Sequence, residues 1–159
     1  MAQDIFIDIN GISGESQDFE HLDEIDVQSW SWQVAQNSSM LSGSGGGAGK
    51  ASVSDLGFFH AYDRASPNLA KYCFTGKHIE KAVLTMRKAG TVPHEFARIT
   101  MYDVVITNVS PVANGSICHE HVTLSFATMK HEYILQNPLG GSGGAVTAMM
   151  YIKENSTVK

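Results

Sequence analysis

The sequence predicts a mainly β protein: a small closed or nearly closed antiparallel β-barrel of two packed sheets, one short flanking α-helix (about 66–76) and a protruding glycine-rich loop (37–49). Three observations carry this reading. About seven segments alternate apolar and polar residues, as half-buried strands do. A Ser-Pro start and a Gly stop frame one helix. Two connections are too rich in glycine to hold a shape by themselves. At 159 residues the chain is expected to be a single domain, 1–159, long enough to bury a core.

Ile5, Ile7 and Ile9 make the first strand, ended by Asn10-Gly11. Over 24–36 the pattern changes phase, with Ile25 and Val27 on one face and Trp30, Trp32 and Val34 on the other. Either a bulge near Gln28-Ser29 or burial of both faces accounts for that change. Further strands are expected near 50–62, 78–88, 95–109, 118–135 and 145–153. Closing them into a barrel would remove the sheet edges. Between them Ser66 reads as a helix N-cap, Pro67 as the first helical residue and Gly76 as the stop. Leu69, Cys73 and Tyr72 give that helix an apolar face, and so short a helix is ordered only by docking.

The net charge of −5 and scattered basic residues argue against nucleic-acid binding, and no apolar run is long enough for membrane insertion. The N-terminus lacks the features of a secretory signal, so the chain is expected in the cytoplasm unless a dedicated machine exports it. Cys73 and Cys118 fit no metal or redox spacing and read as reduced, partly buried thiols.

Tests for chemistry come out empty. The loop ending Gly49-Lys50 is not a P-loop, because Ser44 and Ala51 occupy required Gly and Ser/Thr positions and no helix follows. Cys118-His119-Glu120-His121 is the densest group of potential ligands; His119 and His121 share a face, but no third zinc ligand is evident, and a polar strand facing solvent or a lumen is the plainer reading. No serine sits in a nucleophile elbow. Trp30 and Trp32 could stack on a sugar in a carbohydrate-binding module, yet a core or interface role suits them better. The expectation is a protein that is not an enzyme and has no cofactor; the alternatives are a β-barrel ligand-binding module and, behind it, a zinc-dependent enzyme.

The segment Gly14-Glu15-Ser16-x-Asp18-x-x-His21-x-x-Glu24-Ile25-Asp26-Val27-x-Ser29-Trp30-Ser31-Trp32 resembles the N-terminal signature of the hemolysin-coregulated protein (Hcp) family of type VI secretion. The likeness continues through Gly45-Gly46-Gly47-Ala48-Gly49-Lys50, Ser66-Pro67-Asn68-Leu69, Gly76-Lys77-His78, Arg87-Lys88-Ala89-Gly90 and Ile152-Lys153-Glu154-Asn155. The blocks keep the family's order over nearly the whole chain. Met149 and Met150 stand where the family often has Gly-Trp, which leaves the packing of the last strand open. The resemblance implies a homo-hexamer whose rings stack into a tube. That tube lies inside a sheath, behind a spike protein, and carries small effector proteins out of the cell without a signal peptide. It also implies a structural signature of Glu15, His21, Asp26, Trp30, Trp32, Lys77, His78, Arg87 and Lys88. The chain ends four residues after Asn155, so no toxin extension is expected. Physics and resemblance together make Met40, Leu41, Ser42, Gly43, Gly45, Gly46, Gly47 and Gly49 the expected subunit or ring-stacking loop, with Met40 and Leu41 as exposed apolar groups seeking a partner.

Overall fold

A computed structural model describes residues 3–37, 50–90, 92–137, 139 and 142–157. The expected contact loop, Met40 and Leu41 included, lies outside the described residues. Among the described residues, ten strands and one helix run in the order β1 (Gln3–Ile9), β2 (Ile25–Asp26), β3 (Ser29–Ser31), β4 (Val34–Ala35), β5 (Ser52–Val53), β6 (Leu56–Ala61), α1 (Ser66–Thr75), β7 (Ile79–Lys88), β8 (His94–Asn114), β9 (Ile117–Gln136) and β10 (Ser142–Tyr151). All pairings are antiparallel. The main sheet follows the path β2-β1-β7-β8-β9-β6-β3, with β10 beside β9, and β4 and β5 form a separate two-stranded ribbon.

The sheet is open rather than closed by a continuous ladder, and the expected long strand over 24–36 is three short ones. The phase change has a cause: β2 and β3 lie at opposite ends of the sheet path. The Val27 N–H donates to the Ile5 carbonyl (2.9 Å), while the next N–H, of Gln28, donates to Phe59 (2.8 Å). Two successive residues thus bond to the two ends of one sheet, and the chain must turn over between them. A second phase change runs through the sheet centre. Inward residues switch between Ile79 and Ala82 in β7, Met101 and Val104 in β8, and Phe126 and Met129 in β9. These positions are level across the sheet, and Asp103 sits there with left-handed backbone (φ 53°).

The core joins Ile7, Ile9 and Ile25 to Leu56, Phe58, Leu84, Ile99, Ile106 and Leu124, all with at most 1% exposure. Helix α1 packs on β8 through Leu69, with Tyr72 and Cys73 half-buried beside it. Its C-terminus is as expected: Gly76 is left-handed (φ 66°), its N–H reaches Cys73, and Lys77 N–H reaches Tyr72, the two bonds of a Schellman cap. The N-terminus differs, because the cap position is Ala65 and Ser66 lies inside the helix. Asp63 accepts from the Ala65 N–H (2.8 Å), but no side chain caps the first turn.

Gly14 is required by space. A Cβ there would lie 2.5 Å from the Glu24 carbonyl oxygen, a backbone atom that cannot swing away. Gly14→Ala is therefore expected to cost about 1–3 kcal/mol in urea unfolding. An unchanged midpoint would show that the 14–24 turn yields freely.

Candidate functional site

Residues 13–24 fold back on themselves. Gly14 N–H donates to Asp23 (2.7 Å), Asp23 N–H to Ser16 (2.8 Å) and Ser16 N–H to Glu24 (2.9 Å). Arg64 closes the outside, donating to the Gly14 carbonyl (2.6 Å) and pairing with Asp23 (2.9 Å). Two charged anchors hold this loop to the sheet. Arg87, 8% exposed, donates to Asp4 (3.1 Å) and grips Asp18 with both terminal nitrogens. His21 receives Glu24 at Nδ1 and Glu95 at Nε2, both at 2.8 Å. Between the anchors lies Phe6, with the His21 ring stacked on it (4.4 Å) and the Arg87 guanidinium 5.1 Å from its centroid.

The electrostatics follow from these contacts. The Arg87 hydrogen bonds pull the Asp18 carboxyl down to about 2, against a modest opposing effect of burial. Burial alone would lower His21, but the two carboxylates on its nitrogens outweigh it and raise its pKa above the ordinary 6.5. Glu95 is opposed by burial in the same way, yet its bonds to His21 and Arg98 carry it below its ordinary value. A histidine bonded at both nitrogens to carboxylates holds protons and has no lone pair to offer. Glu20, His21 and Glu95 are the one three-residue grouping within metal-ligand reach among the described residues, and His21 is already committed there.

This arrangement gives a pH prediction with a definite sign. A raised histidine pKa contributes stability that is complete below its unfolded value near 6.5 and is lost as pH climbs through the folded value. Stability should therefore fall as pH rises above 6.5, and His21→Gln should flatten that fall. Parallel slopes for the two proteins in urea titrations would refute it.

Of the other signature residues, Lys77 lies over the Tyr72 ring (4.5 Å) and Lys88 over Phe96 (5.1 Å). His78 is exposed and borders a polar concavity with Asp103 and Lys153. Glu15 and Asp26 are exposed, although partial burial and the charges of Asp18 and Asp4 push the Asp26 carboxyl up. Trp30 and Trp32 pack against the core, and Trp32 meets His131 edge-on at 6.1 Å. Both serve packing here.

The 118–121 group needs a correction. Glu120 does not face solvent or a lumen: it is 1% exposed and bonds His60 Nε2 at 2.8 Å, with His60 itself at 0%. Asp63 stands 3.8 Å from the other His60 nitrogen, and burial raises its carboxyl. His119 and His121 point the other way, and His121 stacks on Phe59 (4.3 Å). Among the described residues no third ligand joins them. His60 and Glu120 hydrogen-bond each other and hold structure; the group does not line up a nucleophile with a base.

Comparison with known proteins identifies relatives of the chain. Residues 6–133 match the family described as type VI secretion system effector, Hcp. The chain is 43% identical to protein hcp1 of Pseudomonas aeruginosa, covering 98% of each chain. Its fold superposes on the crystal structure of Hcp1 from Salmonella typhimurium with a TM-score of 0.84 and 45% identity, covering 99% of this chain and 100% of that one. A type VI secretion system effector from Yersinia pestis gives 0.78 and 39%, covering 93% and 99%. The chain thus belongs to the Hcp family of type VI secretion, structural tube proteins rather than enzymes.

Proposed function

We propose that this chain forms hexameric rings that stack into the secreted tube, with small effectors in the lumen and the spike and sheath as partners. The supporting observation is a near full-length match to Hcp structures in a chain that leaves large apolar groups in solvent. Phe19, Phe74 and Leu139 are 97, 93 and 97% exposed, more than an isolated subunit needs. A ring repeats each weak contact around its axis and makes it strong collectively. Barrel closure belongs to the same reading, since residues 25–31 already bond to both ends of the sheet.

The 37–49 loop is proposed as a contact between subunits or rings, and its stem is the β4–β5 ribbon, Val34 facing Val53. Sedimentation velocity should show a particle about six times the 17.2 kDa chain mass. Shortening Ser42–Gly49 to a tight turn should leave the circular dichroism unchanged and weaken association and secretion. A wild-type monomer would sink the ring; shortened rings that stack and are exported normally would sink the loop contact.

A further inference from the structure

Phe19 is 97% exposed and Leu22 64%, yet both sit on the braced 13–24 loop. The residues around them are fixed: Asp18 is held by Arg87, the Glu20 N–H donates to Asp18 (3.0 Å), and His21 is bound at both nitrogens. A side chain presented on ordered backbone loses little entropy on docking, so this is a preformed knob. Acidic residues surround it; Asp18, Asp23 and Glu24 are paired with Arg87, Arg64 and His21, which leaves Glu15 and Glu20 to set its charge.

A matching groove lies elsewhere on the chain. A cavity of about 420 Å³ opens between the β4–β5 ribbon and the end of β10, with Val34, Val53, Met150 and Ile152 on its walls. Lys50 precedes the wall residue Ala51, whereas Lys153 and Glu154 line the separate concavity beside His78. Apolar shape and opposite charge both fit the knob.

Their placement decides which copy the knob reaches. The groove end of β10 is level with Lys81, because Tyr151 pairs with Thr128, Thr128 with Tyr102 and Tyr102 with Lys81. The knob is anchored at Arg87, six residues further along β7, which is roughly 20 Å at about 3.3 Å per residue. Knob and groove therefore lie level with opposite ends of β7. Phe19 cannot fill its own groove, and a contact between them joins copies head to tail.

We propose that Phe19, with Leu22 beside it, inserts into this groove on a second copy in the next ring. The inference rests on the ring-and-tube reading and supplies its stacking contact. One phenylalanine buries only about 150–250 Å², far below the roughly 1,000 Å² of a stable interface. Six copies on one ring face reach that order, so the contact acts through the ring.

The test uses Phe19→Cys rings and Val34→Cys rings, formed separately, mixed and oxidised, with wild type and Phe19→Cys plus Phe74→Cys as controls. A disulfide needs Cα atoms within about 7 Å. The expected result is a linked pair of chains in particles larger than one ring, above both controls. Rings that form without this link overturn the inference, as does a link confined to single rings; the first outcome follows if the spike or the chain's own 37–49 segment fills the groove. Phe19→Ser should keep its rings and lose stacking affinity by about tenfold or more, and undiminished stacking also overturns it. A wild-type chain that forms no rings at all fails the underlying reading instead.

Discussion

Glu120→Ala is expected to lower folding stability by about 3–5 kcal/mol, the usual consequence of leaving one member of a buried, hydrogen-bonded pair without its partner. Glu120 and His60 are both within 1% of full burial and 2.8 Å apart, so neither finds water when the other leaves. Asp63, at 3.8 Å, is too far to replace the lost bond and is itself disfavoured by burial. A small domain commands about 5–15 kcal/mol in total, so the variant should unfold in much weaker urea. The double variant His60→Leu with Glu120→Leu removes both polar groups and should recover most of the loss, since apolar replacement of a buried pair is often neutral. Tryptophan fluorescence across a urea series measures both. A loss under about 1 kcal/mol for Glu120→Ala would mean that water or a shifted side chain repairs the site.

That pair was within reach of the alternation. Glu120 is in phase with Val122, Leu124 and Phe126, and His60 with Phe58 and Leu56, all of them inward. Period two puts both polar groups in the core, against the expectation that 118–121 faces solvent or a lumen, and the 60-residue separation hides their contact. The strands expected at 5–9, 78–88 and 118–135 and the Gly76 stop were legible because local spacing determines them. The break over 24–36 was legible as a phase change, but not its meaning, because nothing local says that Val27 and Gln28 serve opposite ends of a sheet. His21 and Arg87 stood out through family resemblance alone. Their partners Glu95 and Asp18 lie 74 and 69 residues away, and pairing of that range is settled by register.

Arg87→Met should cost about 2–4 kcal/mol, somewhat less than the Glu120 change, because Asp4 remains nearly half exposed and can rehydrate. Methionine keeps most of the side chain's apolar stem, so the loss reports the guanidinium rather than a cavity. Acid gives a second, sharper readout. Asp18 sits at about 2 in the folded protein against an ordinary 3.8, so its contribution is present above 3.8 and disappears as pH falls toward 2. Without Arg87 that depression has no source, and the variant's stability should vary less over this interval. The loop would also lose its grip on the sheet beside Phe19, leaving amide protons of residues 16–24 less protected from exchange. Urea titrations between pH 2 and 5, with hydrogen exchange on the same samples, separate these effects. An acid limb of wild-type steepness in Arg87→Met would show that Asp18 owes its low pKa to another group and that Arg87 is not the anchor of the signature loop.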